Sequence, residues 1–450
     1  MAEQISRNQA RVQTIQHALE SNEIWQLREL LGELHPSEIA DILESLPSSV
    51  RDELWVHIDS TIEGDVLSNS NAAVRLTLVE NMDPSQLADA ASSLDSDDAA
   101  DFLQDLPGEL VDEVLLSMDE QNRQRVAAVL TYPADTAGGL MNVDTVTVRS
   151  DVEVDVVLRY LRRLGEMPEN LDQLFVVDRS NKFLGVLRLS KLVIAHADTT
   201  TAEIMSTDAA PIPAGTPVHE VAIVFEQRDL LSAPVVDDDG LLLGRITVDD
   251  VVDVIREESE RLIMSAAGLD EEHDIFAPLL VTARQRALWL ALNLATAFLA
   301  AWVIGLFEAT IEQLVALAVL MPVVASMGGI AGSQTLTIVV RGLALGQIGS
   351  ANERAVLRRE VTVGLFNGCL WAVVVAAVAG TWFDDFRLGL VIGCAMVLNL
   401  LTAGFAGAAI PLILGRLKID PALAGGVVLT TVTDVVGFFA FLGLASQFLV

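Results

Sequence analysis

The chain has 450 residues, with 28 Lys and Arg against 62 Asp and Glu, a formal net charge of -34, and a mean hydropathy of +0.45. At roughly 150 residues per domain this leaves room for about three domains. A hydrophobic fraction of 52% excludes a disordered acidic chain, and the acidity disfavours a nucleic-acid partner, because little here would neutralise phosphate. The charge is not evenly spread. Residues 281–450 hold nine of the basic and eight of the acidic residues, so the remaining 19 and 54 give residues 1–280 a net charge of -35. An acidic soluble half is joined to an apolar half suited to lipid. Only Cys369 and Cys394 occur, both within apolar runs; they suit neither a disulfide framework nor a zinc site and are expected as small buried hydrophobes.

The first residues, MAEQISRNQARVQTIQHALE, contain no apolar core and so do not read as a signal peptide. Residues 1–280 are therefore expected in the cytoplasm. From Leu34 the chain repeats in twelves: LHPSEIADILES, LPSSVRDELWVH, IDSTIEGDVLSN, SNAAVRLTLVEN, MDPSQLADAASS, LDSDDAADFLQD, LPGELVDEVLLS, MDEQNRQRVAAV. Each unit opens on an apolar residue, Ser70 excepted. Pro, Asp or Asn mostly follows, and an apolar pair comes eight and nine positions in, as in Leu54-Trp55, Val66-Leu67, Leu78-Val79, Phe102-Leu103 and Val114-Leu115. Cap residues before a short amphipathic run predict one two-turn helix per unit. Stacked, these form a small α-solenoid with its acids mainly on outward faces.

A second repeat spans 135–260. Leu174-Phe-Val-Val-Asp178…Leu184-Gly185-Val-Leu matches Ala233-Pro-Val-Val-Asp237…Leu243-Gly244-Arg-Ile, 59 residues on. Each copy reads strand, turn, strand, helix, and each follows a Met-containing segment (Met141, Met205) and a helix. This pattern resembles a tandem pair of CBS domains, β-α-β-β-α modules that pair and often bind adenosine nucleotides. In the second copy Gly244-x-x-Thr247-x-x-Asp250 matches that family's ribose-contacting pattern, which implies ATP or AMP as a ligand at Gly244 and Thr247. The first copy departs from it, with Gly185, Arg188 and Lys191.

Five stretches of the apolar half reach the roughly 20 residues a spanning helix needs: 287–307, 314–345, 363–383, 388–414 and 422–449. The second carries Pro322 and a glycine cluster and is expected to kink or break. Arg284 and Arg286, then Arg341, Arg354, Arg358 and Arg359, then Arg416 and Lys418 fall on one side; Glu308, Glu312, Asp384, Asp385 and Arg387 fall on the other. Basic loops face the cytoplasm, which predicts the N-terminus inside and the C-terminus outside. Asp434 is read as the one acid deep in a span, with Thr430 and Gly437 on its helix face. Ser326, Gly329, Ser333 and Thr337 form a similar stripe, which packing alone would also explain. A lone intramembrane carboxylate with no basic partner in any span points to a cation, and oxygen donors without His or Cys clusters favour Mg²⁺ or Ca²⁺.

The order of helical repeat, CBS pair and five spans resembles the MgtE family of magnesium channels and transporters over essentially the whole chain. Local signatures are Thr136-Ala-Gly-Gly-Leu-Met141, Pro322…Gly328-Gly329-x-x-Gly332-Ser333-Gln334, and Asp420-Pro421-Ala-Leu423 with Thr433-Asp434. The resemblance implies a multidomain membrane protein: an α-solenoid domain over 1–132, tandem CBS domains over 133–255, a connecting helix over 256–280 and an all-α transmembrane domain over 281–450. It implies a homodimer embedded in membrane lipid at the cell (inner or plasma) membrane, carrying Mg²⁺ inward and closed by intracellular Mg²⁺. Asp434 matches the pore aspartate, with the Thr430 carbonyl beside it, and Glu312 an acid near the outer pore. Asp65, Asp97, Asp101, Asp229, Asp250, Asp253, Glu258 and Asp420 match sensor acids. Ile330 stands where the family commonly has Asn and Ser333 where it often does, which leaves ion selectivity open. Arg261 stands where the connecting helix often carries an acid. Two other readings are a coupled carrier of broader divalent specificity, Co²⁺ included, and a CBS-regulated membrane receptor. An enzyme is not expected, since no nucleophile–base set or phosphate loop is present.

Overall fold

A computed structural model describes residues 2–165, 167–168, 170–266, 269, 274–417 and 419–450. Residues 267–268 and 270–273 of the expected connecting helix and Lys418, in a basic loop, lie outside the described residues. The chain forms two compact units, one of Met1–Ser259 with Glu272–Ala277 and one of Glu260–Glu271 with Pro278–Val450.

The first unit opens with α1 (Ala2–Glu20) and α2 (Ile24–Gly32), which precede the repeat. One helix then follows per twelve-residue unit: α3 (Pro36–Glu44), α4 (Ser48–Trp55), α5 (Glu63–Ser68), α6 (Ala72–Val79), α7 (Pro84–Ser93), α8 (Ser96–Gln104), α9 (Gly108–Ser117) and α10 (Glu120–Leu130). At α6 and α7 the caps act as the sequence suggests. Asn71 accepts the Val74 N–H at 2.9 Å, and Asp83 and Gln86 close a capping box with Pro84 at the first helical position. Leu54, Val66, Leu67, Phe102, Leu103 and Val114 are wholly buried in one continuous core. Truncating any of these leucines to Ala should cost about 2–5 kcal/mol. Arg51, from an ordinary-looking unit, is buried as well. It donates to the carbonyls of Leu43 (3.0 Å) and Leu46 (3.1 Å), to Thr77 Oγ1 (3.2 Å) and to the Asp274 carboxylate (3.0 Å).

The second repeat folds as two copies of one module. The first is β1 (Thr147–Arg149), α11 (Val154–Leu164), β2 (Gln173–Val177), β3 (Phe183–Arg188) and α12 (Leu189–Ile194). After α13 (Thr201–Ile204) come β4 (Ile212–Pro213), α14 (Val218–Arg228), β5 (Ser232–Val236), β6 (Leu242–Thr247) and α15 (Val248–Ala266). In each sheet the first strand is parallel to the second and the second antiparallel to the third. The repeat is kept to the residue: the register shifts at Val176/Val177 in one copy and Val235/Val236 in the other. The two copies touch at equivalent positions, where Gln173 Nε2 donates to the Ser232 carbonyl at 3.0 Å. The expected connecting helix is not separate from the second module but is the continuation of its last helix, α15.

In the second unit, five helices among the described residues are long and apolar enough to cross a membrane. They are α16 (Leu279–Gly305), α18 (Ala316–Ala344), α19 (Glu353–Trp382), α20 (Phe386–Arg416) and α21 (Pro421–Phe448), with the short α17 (Glu308–Gln313) between the first two. Three sequence expectations need correction. The second span is not broken, because Pro322 lies in the second turn of α18 and the helix runs through it. Helix α19 starts ten residues earlier than the apolar run at 363, so Glu360 lies inside it and is buried, 7% exposed. Asp434 is thus not the only acid within these helices. Cys369 and Cys394 are exposed on helix surfaces rather than buried.

Candidate functional sites

In the second unit the buried side of α18 is marked by Val324, Gly328, Gly332, Thr335 and Val339. Ser326, Ser333, Thr337 and Ile330 are exposed instead, so the polar stripe is not a packing seam within this chain. On α21, Thr430 is exposed and Asp434 half-buried. The Thr430 hydroxyl is turned back to the carbonyls of Gly426 and Val427, both at 3.1 Å, while its own carbonyl accepts from Thr433 Oγ1 at 3.1 Å. The oxygens this turn offers a cation freely are therefore those of the Asp434 carboxylate, since the Thr430 carbonyl, inside α21, accepts from Thr433 Oγ1 in addition to its helical backbone bond. Asp420 caps α21, its carboxylate accepting the Ala422 N–H at 2.7 Å, and Pro421 occupies the first helical position. Arg261 Nη1 approaches the other Asp420 oxygen at 3.6 Å. Glu312 is exposed on α17, on the loop joining the first two spans.

The first unit gathers carboxylates from the helical repeat and from α15. Asp97 is buried, 6% exposed, and accepts from Asn142 Nδ2 at 3.2 Å. Burial pushes its carboxyl well above the usual range, and Asp250, Asp98 and Asp95 push it further. Asp250 is raised by burial too, against two hydrogen bonds that favour its charged form, from the Thr247 N–H (3.0 Å) and hydroxyl (2.8 Å). Asp98 is pushed up to about 6, by withdrawal from solvent first and then by Asp95, Asp249, Asp253 and Asp65. Asp101 is pushed up to about 7, by withdrawal from solvent and then by Asp98 and Glu257, with Arg75 opposing. Asp98 and Asp101 keep exposed faces, so solvent screens part of their rise; the buried Asp97 carries the firmest shift. Among the described residues no three His, Cys, Asp or Glu converge tightly enough to hold a metal ion by themselves.

Of the expected sensor acids, Asp65, Asp97, Asp101, Asp250 and Asp253 are thus in or beside one electrostatic cluster. Glu258 is half-buried farther along α15. Asp229 caps α14 in a left-handed conformation (φ 50°), exposed, and is not among the carboxylates weighing most on the cluster. Asp98, Asp249 and Glu257 belong to it and escaped the sequence reading. Their signal was helical spacing, since Asp249, Asp253 and Glu257 recur every fourth residue along α15.

Family models match three parts of the chain: the MgtE intracellular N domain at 34–135, two CBS domains at 137–198 and 202–257, and the MgtE divalent cation transporter domain at 321–444. The magnesium transporter MgtE of Thermus thermophilus is 31% identical over 97% of this chain and 98% of its own. The chain belongs to the MgtE family. The MgtE proteins of Bacillus subtilis, 29% identical over 96% of both chains, and Enterococcus faecalis, 30% identical over 96% of this chain and 95% of its own, agree. A crystal structure described as the cytosolic domain of the Mg²⁺ channel MgtE in complex with ATP covers 54% of this chain and 99% of its own, at 32% identity and a TM-score of 0.50. Membership of the MgtE family makes this a multi-pass magnesium transporter with a cytoplasmic regulatory half, rather than an enzyme.

The nucleotide pattern of the second CBS module has a structural use of its own. A Cβ on Gly244 would lie 2.7 Å from the Asn142 carbonyl, because Asn142 and Arg245 exchange backbone hydrogen bonds there. The glycine admits that close backbone approach. Thr247 is 5% exposed and its hydroxyl is held by Asp250.

Proposed function

We propose that the protein is a gated channel for Mg²⁺, open to influx when intracellular Mg²⁺ is low and closed by it when high, with Asp434 and the Thr430 carbonyl as the ion site. The observation that carries this reading is the open polar face of α18 and α21. Ser326, Ser333, Thr337, Thr430 and Asp434 share little cover within one chain, and such groups are costly against lipid. A second copy of the chain facing the first would enclose them around a path, which makes a homodimer the natural assembly. Mg²⁺ sheds its water reluctantly, and one carboxylate with carbonyls suits an ion that keeps most of its shell. The basic loops favour an inner or plasma membrane orientation with the N-terminus inside and the C-terminus outside.

Closure follows from the first unit. Asp97, Asp98, Asp101 and Asp250, with Asp65, Asp253 and Glu257 around them, repel one another when compact. Divalent ions bound among them offset that repulsion and select the compact form, and loss of ions releases it. The sites must favour the compact state by differential affinity for this to move the population. Glu258, Asp420, Glu312 and Asp229 are assigned subsidiary parts, Glu258, Asp420 and Asp229 as sensor acids and Glu312 as an acid near the outer pore. Domain limits at 132, 255 and 280 are proposed on the same reading.

Asp434→Asn in proteoliposomes tests the ion site. Mg²⁺ flux should fall about a hundredfold, equivalent to about 2.7 kcal/mol, with unchanged elution and thermal midpoint. Parental flux would remove Asp434 from the path. A coupled carrier predicts flux that follows an imposed Na⁺ or H⁺ gradient rather than potential, and Co²⁺ competition reports breadth. The ATP complex of the similar cytosolic domain favours a second ligand here: ATP or AMP at the second CBS module beside Gly244 and Thr247. A nucleotide-dependent rise in thermal midpoint that Thr247→Val removes would support it.

A further inference from the structure

We propose that Asn399 is a positioning residue of the ion path, an amide that sets the Asp434-bearing face of α21 against α18 and so governs selectivity. The proposal rests on Asp434 being the ion site. Asn399 lies near the middle of α20 and is 0% exposed. Its Nδ2 donates to the Val324 carbonyl of α18 at 2.8 Å. The opposite amide orientation would set two acceptor oxygens at that distance, so the assignment of nitrogen and oxygen is fixed by its partner. Its Oδ1 is buried and has no hydrogen-bond partner among the described residues.

Two glycines on two other helices form the slot around this amide. A Cβ on Gly328 of α18 would collide with the Asn399 nitrogen, and one on Gly437 of α21 would lie 2.8 Å from it. The glycines are therefore walls shaped to one side chain. Gly437 follows Asp434 by three residues on the Thr430–Asp434–Gly437 face. The amide thus pins α21 one turn beyond the carboxylate, and pins α18 two residues past Pro322. A leucine of similar size would bury apolar surface and leave no orphan acceptor, so a stability role alone does not explain an amide with a buried unmet oxygen. Placement of the Asp434 oxygens does, because selectivity for a small hydrated ion is a matter of cavity size and rigidity.

The test compares full-length protein and its variants in liposomes of phosphatidylethanolamine and phosphatidylglycerol, reading Mg²⁺ and Ca²⁺ flux, elution and thermal midpoint. Asn399→Leu should keep the parental thermal midpoint and elution but lower the Mg²⁺-to-Ca²⁺ flux ratio about tenfold, equivalent to about 1.4 kcal/mol. Gly437→Ala should do the same by pushing on the amide. Adding Asn399→Ala to Gly437→Ala removes the amide as well and should leave the ratio low, with no recovery. A parental ratio in both single variants would overturn the proposal, as would flux lost only in proportion to folded protein. Asp434→Asn runs alongside: if it conducts, the ion-site reading fails and this proposal with it. If it is silent while the Asn399 and Gly437 variants remain parental, only the proposal fails.

Discussion

Asp97 and Asp434 are both carboxylates held away from water, yet their surroundings differ. Asp97 is buried by its own unit among other acids, with Asp250, Asp98 and Asp95 all raising its proton affinity. Asp434 is half-buried on a helix face that its own chain leaves open, with no second acid in its helix. Crowded acids make a device whose shape depends on counterions, since each added divalent ion changes the energy of the whole group. A solitary acid at an open face makes a place where one ion binds and leaves, because there is too little charge to trap it. The same residue type thus supports regulation in one half and passage in the other.

The sharpest way to break this contrast is to disturb the first unit without touching its acid cluster. Arg51→Ala leaves the Asp274 carboxylate unpaired and two buried carbonyls without their donor. Removing one partner of a buried pair costs about 3–5 kcal/mol, so the thermal midpoint should drop by several degrees at any Mg²⁺ concentration. A midpoint that falls only in the absence of Mg²⁺ would instead tie Arg51 to the sensor.

Acidity provides a smaller effect with a definite sign. The native carboxyls of Asp97, Asp98, Asp101 and Asp250 bind protons more tightly than they would unfolded. Stability from this source is therefore full below about pH 4, the unfolded value, and is lost as pH rises through about 6 to 7. Without divalent ions, protease resistance of the first unit in the full-length protein should fall from pH 5 to pH 8. Millimolar Mg²⁺ should restore it at pH 8 and change little at pH 5. Resistance that rises with pH would contradict the cluster. Arg261→Ala, which removes a partly exposed ion pair with Asp420, should cost no more than about 1 kcal/mol. Salt titration of the thermal midpoint would show a correspondingly small change in slope.

Much of the fold was legible in the sequence because it rests on periodicity. The twelve-residue repeat carried its own caps and apolar pairs, and the 59-residue repeat carried matching strands and turns. Long apolar runs announced the spans. Boundaries set by tertiary contact were not legible: Glu360 follows Arg358 and Arg359 and reads as loop, yet helix packing buries it. The cluster around Asp97 was found in part, since its members lie some 150 residues apart and only folding joins them. Arg51 and Asn399 could not be found at all. Each looks like one polar residue in an unremarkable helix, and each meets its key partner, Asp274 or Val324, 223 or 75 residues away.

The central claim is the division of labour between the two groups of acids, and one measurement reaches it directly: Mg²⁺ flux in proteoliposomes as Mg²⁺ is raised on the cytoplasmic face. The parental protein should close in the millimolar range. Asp97→Asn combined with Asp250→Asn, which removes repulsion that opens the compact form, should conduct less than the parent at low Mg²⁺ and respond little to added Mg²⁺, whereas Asp434→Asn should carry about a hundredfold less Mg²⁺ at every concentration. A doubly substituted protein that opens at low Mg²⁺ and closes at the parental concentration, or an Asp434→Asn protein that conducts at the parental rate, would contradict it.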